Sequence, residues 1–311
     1  MVEDNQIKAQ VSPFAIREGE IKTFDGKDGY VSMNQIVHKI NIGHINEIHF
    51  AILDLVNEFE FITSRQLYQM LEIKGIDPKS QDKLNNKLEQ LVKSKILTRY
   101  YFTSDEGKGI YRIYCLEKMG KYLLTSKEVE CKWQPSDNTK PVGMIKKRLA
   151  GNQTLIAYLR KVKAFDSYVV KPAITAKVTG KVFKATGGSV KLTKNNKSIQ
   201  FLFEAVRREA DWQKKLVDKM RLYKDFYENF VPGDSGYSTL PQLILICEDE
   251  KHMAETFKEI VTNQVEIPQI KLYFTTDLRQ NKETLEDTLT EFKLVNGKYK
   301  MENVELKLLG M

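Results

Sequence analysis

Glu204 lies near the end of an apolar strand pattern, Ser198-Ile-Gln-Phe-Leu-Phe-Glu-Ala-Val206, that runs into a Lys/Tyr-rich helix pattern from Asp211 to Tyr227. One carboxylate on a buried strand, followed by such a helix, is the layout of a nuclease-type α/β core. Metal-dependent cutting by that core needs at least two carboxylates to hold Mg²⁺ and a lysine to orient water or stabilise charge. The usual motif is acid-x-Lys on one strand, whereas this chain carries Glu204-Ala205-Val206. The preceding strand region, Gly187 to Thr193, has no Asp or Glu. One carboxylate alone is a poor Mg²⁺ site. Lys214, Lys215 or Lys219 on the following helix could replace the missing lysine, and Asp166 or Asp211 would have to supply the second acid. Glu204 is thus the one, weak catalytic candidate, and the competing reading pairs it with Arg207, Arg208 or a nearby lysine. No metal-ligand set or cofactor is predicted.

Between Asp166 and Glu204 the chain places Lys171, Lys177, Lys181, Lys184, Lys191, Lys194 and Lys197, and no acid. Lysines on exposed strands often only protect sheet edges. Here Lys146, Lys147, Arg148, Arg160, Lys161 and Lys163 stand just upstream, so one strongly positive surface is expected. It would hold a nucleic-acid backbone without reading sequence, with affinity falling as salt rises. The net charge of +8 over 311 residues points the same way, since a basic chain favours polyanions.

No apolar run approaches the roughly 20 residues that span a bilayer. Met-Val-Glu-Asp-Asn-Gln has neither the basic nor the apolar region of a signal peptide, and no membrane partner is expected. Cys115, Cys131 and Cys247 are odd in number and lack CxxC spacing, which fits reduced thiols in the cytoplasm. His38, His44, His49 and His252 make no zinc pattern.

The elements that must position these residues fall into blocks. Residues 1–45 read as an extension with turns at Asp25-Gly26 and Asp28-Gly29 and a short helix capped by Ser32. Residues 46–127 read as three helices, a two-stranded hairpin and a closing helix. The first helix covers about Glu47 to Asn57, and the second, capped by Thr63, covers Ser64 to Leu71. The third starts at Asp77-Pro78 with Leu84, Leu88, Leu91 and Val92 on one stripe. That order is a winged helix-turn-helix. Residues 128–141 read as a linker. Residues 142–311 form a mixed-sheet α/β domain. It opens with a basic helix, Lys146 to Lys163, and continues with strands at about 168–175, 181–192 and 198–206. Strands at Gln242–Cys247 and Ile270–Phe274 flank a helix from Lys251 to Asn263. The chain then ends in a helix, 284–292, and a hairpin.

In a helix-turn-helix the helix after the turn enters the major groove by its N-terminal residues. Here that helix offers Lys79, Ser80, Gln81, Lys83, Asn86, Lys87, Gln90 and Lys93, with Asp82 and Glu89 as its few acids. Lysine neutralises phosphate or donates to guanine, while Asn and Gln match the polar edge of adenine. Lys108 in the wing, with Arg99 and Arg112 on its strands, would touch the DNA backbone. A solvated amphipathic helix gives the same stripe without a ligand, and Asp105-Glu106 at the wing tip leans toward a protein-binding adaptor.

The combination resembles the replication-relaxation family of plasmids, conjugative elements and phages, a winged helix followed by a degenerate restriction-endonuclease-like domain. The resemblance covers roughly residues 46–280. It rests on the winged-helix order, on Phe201-Leu-Phe-Glu204 followed by Lys219-Met-Arg-Leu-Tyr223, and on the strand pair Leu243–Ile246 and Leu272–Thr276. The family's Pro-Asp before the acid strand is absent, and Val206 stands where a second acid would be. The resemblance implies a DNA-associated role in the replication, transfer or transcriptional regulation of a mobile element, alongside replication or transfer proteins. The expected activity is non-enzymatic binding of double-stranded DNA, compatible with a homodimer. A Glu204-dependent nuclease and a protein-binding adaptor are the alternatives.

Overall fold

The computed structural model describes residues 11–105, 107–195, 197–281 and 284–306. The N-terminal residues read for a signal peptide lie outside them. In chain order the first half comprises β1 (Ile21–Phe24), α1 (Met33–Asn41), α2 (Glu47–Phe59), β2 (Ile62–Thr63) and α3 (Ser64–Ile73). It continues with α4 (Gln81–Lys93), β3 (Leu97–Ser104), β4 (Gly107–Leu116) and α5 (Lys118–Ser126). Ser32 and Gln35 form a reciprocal cap on α1, and Thr63 and Gln66 do the same on α3, each satisfying amides that a helix start leaves unpaired.

α4 begins later than expected. Ser80, not Asp77, caps it, its hydroxyl accepting from the Lys83 amide at 3.2 Å. Lys79 has φ +67°, outside the helical region, so Pro78 cannot lie in the first turn. Asp77 closes the preceding bend by accepting from the Lys79 amide at 2.7 Å. The hairpin β3–β4 is the centre of a four-stranded sheet ordered β1-β3-β4-β2. Residues 128–141 hold a 3-10 turn, Pro135–Thr139. Trp133 is buried, its indole N–H donating to Asn138 at 3.1 Å, and Asn138 donates to the Leu116 carbonyl at 2.8 Å.

The second half opens with α6 (Val142–Lys161), then β5 (Phe165–Val169), β6 (Ala173–Ala176), β7 (Lys181–Lys184), β8 (Ser189–Lys194) and β9 (Lys197–Ala205). α7 (Trp212–Glu228), β10 (Gln242–Cys247), α8 (Glu250–Thr262), β11 (Leu272–Thr276), β12 (Leu289–Val295) and β13 (Lys298–Val304) follow. The two long strands expected over 168–192 are four short ones. Pro172 ends the first and Gly187-Gly188 precedes the last, while β6 and β7 pair only with each other. The helix expected at 284–292 is absent. Leu289 instead opens β12, and Asn296-Gly297, both at positive φ, turn the chain into β13, the pairing that favours a tight hairpin.

The result is a mixed α/β protein with a seven-stranded sheet ordered β13-β12-β11-β10-β9-β8-β5. β9, β10 and β11 are parallel and the outer strands antiparallel. Side chains alternate across a strand. Phe201, Phe203 and Ala205 therefore face α6, and Tyr158 packs 4.9 Å from the Phe203 ring centre. Leu202, Glu204 and Val206 face α7 and α8, where Leu202 and Val206 join Leu216, Met220 and Tyr223. Burying each such side chain stabilises by about 1.5–3 kcal/mol.

α6 also carries the first half of the molecule. One apolar cluster runs from Leu67 and Leu88 through Leu149 and Leu155 to Phe203. Buried amides bridge the same contact, Gln66 donating to the Leu149 carbonyl at 2.8 Å and Asn152 to the Phe61 carbonyl at 2.8 Å. Where α6 passes the loop before β8, a Cβ on Gly151 would lie 2.2 Å from the Gly187 Cα. Only glycine permits that approach, and it holds Thr186 over the Glu204 strand.

Candidate functional site

Strand alternation points Glu204 at α7, where the carboxylate is buried. The Tyr223 hydroxyl donates to Oε2 at 2.7 Å, the Thr186 hydroxyl to Oε1 at 3.0 Å and the Thr186 amide to Oε2 at 3.3 Å. Lys219, one turn before Tyr223, places Nζ 3.6 Å from Oε2 while donating to the Lys184 carbonyl at 2.6 Å. Of the three lysines proposed as a replacement, Lys219 is the one brought to Glu204. Lys215 pairs with Glu209. Neither arginine after the strand reaches Glu204, because Arg207 pairs with Asp277 and Arg208 with Asp249 and Glu255. The proposed second acids are placed elsewhere. Asp166 pairs with Lys191 and Thr193 at the β5–β8 edge, and Asp211 is the residue before α7, at φ +57°. Val206 is buried among the apolar residues of α7. Glu204 thus has hydroxyl, amide and ammonium partners. Among the described residues no group of three or more His, Cys, Asp or Glu is arranged to hold a metal.

A second polar cluster lies at the carboxyl ends of the parallel strands. Arg207 is fully buried and donates to both oxygens of Asp277, at 2.7 and 3.0 Å, and to the Val206 and Ile246 carbonyls. Glu248 accepts from the Arg208 amide at 3.0 Å and from the Ile16 amide at 3.2 Å. His252 accepts at Nδ1 from the Glu248 amide at 3.2 Å. Burial, then Arg208 and Arg207, hold its pKa down to about 3, so it is neutral at pH 7. The expected N-terminal extension closes over this cluster. Ser12 bonds Asp277, and the Ala15 carbonyl accepts from Lys146 at 2.5 Å. Sequence reasoning missed the cluster, although Arg207-Arg208, Glu248-Asp249 and Asp277 each follow a parallel strand. Open α/β sheets gather functional groups at that end.

The two expected basic surfaces fare differently. Lys83, Asn86, Gln90 and Lys93 are exposed on α4 and Lys79 and Ser80 just before it, with Gln81 and Lys87 partly exposed. Lys83, Lys87 and Gln90 line one flank of α4 beside the buried Leu84, Leu88 and Leu91, and Asn86 and Lys93 stand opposite that core stripe. Lys79 pairs with Asp77 at 2.9 Å, Lys93 with Glu89 at 3.6 Å, and Gln90 bonds His49 at 2.8 Å. Arg99 does not join that surface. It is locked between Asp25 at 3.0 Å and Glu89. Arg112 is half exposed and pairs with Asp25 at 2.7 Å. The Lys108 side chain and Glu106 lie outside the described residues.

The second surface is largely dismantled. Lys146 is buried against Glu20 at 2.5 Å, and burial pushes its pKa down. Lys147 pairs with Glu209. Arg148 donates to the Thr186 carbonyl at 2.7 Å and lies 3.5 Å from Glu60. Lys171 meets Glu60 at 3.4 Å, Lys177 meets Asp234 at 2.6 Å and Lys191 meets Asp166 at 3.0 Å. Burial opposes ionisation of Glu60, but Lys171, Lys140 and Arg148 together hold its pKa below the usual carboxylate range. Lys194 is partly exposed, and Lys181, Lys184 and Lys197 are exposed. An acid-free stretch of sequence is therefore not an acid-free surface. Its partners come from distant segments.

Cys115 and Cys247 are buried free thiols, and Cys131 is partly buried and free. No helix among the described residues is long and apolar enough to cross a membrane.

No family model and no curated protein matches the chain. Among solved structures, the restriction endonuclease FokI aligns with a TM-score of 0.27 and 9% identity, covering 75% of this chain and 42% of that one. The chain thus spans less than half the length of that enzyme.

Proposed function

We propose that the protein is a non-enzymatic double-stranded-DNA-binding protein, with residues 46–127 as a winged helix-turn-helix domain and α4 as its reading helix. The observation that carries this reading is the outer face of α4. Lys83 and Asn86 are exposed there and Lys87 partly so, on a helix anchored in the core by Leu84, Leu88 and Leu91, while Gln90 is tied to His49 at 2.8 Å. Lysine supplies phosphate contacts and the amides supply base-edge contacts. The order three helices then β3–β4 supports the winged-helix assignment. Residues 142–306 then serve as a scaffold of degenerate nuclease type, with Glu204 tying Thr186 to α7. The resemblance to the replication-relaxation family, resting on the quoted residues alone, adds a mobile-element setting in replication, transfer or transcription. Duplex binding at about 50 mM salt, where phosphate contacts are strong, tests the reading. Absent binding there would favour a protein-binding adaptor.

Lys219 beside Glu204 motivates a second reading, a metal-dependent nuclease whose lysine has moved from the strand to α7. Incubating plasmid with Mg²⁺ or Mn²⁺ separates the two. Cleavage that disappears in Glu204→Ala would establish the nuclease and refute non-enzymatic binding.

A further inference from the structure

A cleft of about 1510 Å³ separates the first half of the molecule from α6 and the end of β11. It exceeds the ~300–1,000 Å³ that holds a drug-sized ligand, so it has room for a polymer segment. One wall is α3 with the Gln81, Asn85 and Glu89 stripe of α4, and the other includes Gln153 and Arg160 of α6. This stripe is distinct from the outer Lys83–Lys87 face of α4.

Three features limit the occupant. First, the three acids of the lining are all in ion pairs, Glu72 with Arg160, Glu89 with Arg99 and Asp277 with Arg207, and among the five lining cations Arg99 and Arg112 are also held by Asp25. Arg65 is exposed in the first turn of α3. Second, Tyr68 and further tyrosines stand beside side-chain amides, an arrangement of flat rings and paired donors and acceptors. Third, two buried polar atoms of lining residues, the Tyr111 hydroxyl and Gln280 Oε1, have no hydrogen-bond partner. Leaving a buried donor or acceptor unmade costs about 1–3 kcal/mol, and such groups call for an explanation. Gln280 lies just past the carboxyl end of parallel β11, the end at which open sheets take ligands.

We propose that the cleft binds a short unpaired nucleic-acid strand. Arg65 takes a phosphate, Tyr68 offers a stacking face, and the side-chain amides of Gln69, Gln81, Asn85 and Gln153 meet base edges, with Tyr111 and Gln280 buried behind them. An acidic peptide would use the cations but leave the rings and amides without a matching role. A paired duplex has its bases stacked inward, out of reach of rings in a cleft. The Lys83–Lys87 flank of α4 and the cleft adjoin at Asn86, which lines the cleft, but Lys83, Lys87, Arg65 and Tyr68 each belong to one surface alone, so variants at these four test strand and duplex binding independently.

Fluorescence anisotropy with labelled oligothymidylate, oligouridylate and a duplex, on the full chain at about 50 mM salt, tests this. Oligomers of about 10 nucleotides suit the site sizes of known single-strand grooves. Arg65→Glu and Tyr68→Ala, with thermal melts to confirm folding, are expected to weaken strand binding at least about fivefold each, in line with loss of one stacked base. Duplex binding should stay unchanged. Lys83→Glu is expected to do the reverse. Relative affinity for the two oligomers identifies DNA or RNA as the strand. The proposal is overturned if neither oligomer binds, if strand binding survives both cleft variants intact, or if those variants weaken duplex as much as strand. Loss of duplex binding alone would refute the reading of α4 and leave the cleft standing.

Discussion

Two basic segments of this chain look alike in sequence and behave as opposites in the fold. On α4, Lys83 is exposed and Lys87 partly so, along a flank that the core stripe leaves open to solvent. On α6, Lys146, Lys147 and Arg148 turn inward, and Lys146 is as buried as the apolar core. The difference is where their acids come from. Beside α4 the few acids, Asp82 and Glu89, are local and visible in sequence. Around α6 they arrive from Glu20, Glu60 and Glu209, far away along the chain. Charge density along a sequence is thus a poor guide to surface potential wherever a helix is central to the fold.

Breaking the inward set should produce the largest effect. Lys146→Ala leaves Glu20 buried without its cation, and loss of one partner of a buried pair costs about 3–5 kcal/mol. Urea unfolding should show that loss, while any folded fraction keeps its duplex affinity. Stability near wild type would mean Lys146 is solvated after all. Next in size, Lys83→Glu with Lys87→Glu should weaken duplex binding about 10- to 100-fold and lower the salt slope by about one per lysine. Stability should change by no more than about 0.5 kcal/mol, as for surface substitutions.

A pH dependence sharpens the same contrast between buried and exposed cations. His252 is held neutral in the fold, its pKa depressed from 6.5 to about 3. The unfolded chain takes up a proton in that window and the native state does not. The contribution of His252 to stability is therefore constant above pH 6.5 and falls as pH drops toward 3, by up to about 1.4 kcal/mol per unit. In His252→Gln that part of the slope should vanish from chemical-denaturation curves between pH 6.5 and 4. An unchanged slope would show that the imidazole titrates normally. The smallest effect belongs to Lys181→Glu with Lys184→Glu. These exposed lysines lie on the β6–β7 ribbon, away from α4, and duplex affinity should change less than about threefold, within the reach of long-range screening.

Much of the framework was readable beforehand because its signals are local. The caps Ser32 and Thr63, the Leu84–Leu88–Leu91 stripe and the apolar runs at 198–206 and 242–247 each specify an element within a few residues. The partners of Glu204 were only partly readable: Lys219 was one of three lysines offered, Arg207 and Arg208 turn instead to Asp277, Asp249 and Glu255, and nothing local announced the Tyr223 and Thr186 hydroxyls. The failures share a cause. Asp77-Pro78 offered a good helix start, but Lys79 took a left-handed conformation and Ser80 captured the cap. The stretch 284–292 carries a helical pattern, yet from Leu289 onward the Asn296-Gly297 turn pairs it with the following strand. The Arg207–Asp277–Ser12 network joins residues from the two ends of the chain, and no local pattern announces a contact of that kind.

The most direct test of duplex recognition by α4 compares one pair of variants on one duplex at about 50 mM salt. Wild type and Lys181→Glu/Lys184→Glu are expected to bind alike, and Lys83→Glu/Lys87→Glu to lose most of its affinity. Full affinity in the α4 variant, or no duplex binding by the wild type, would contradict it.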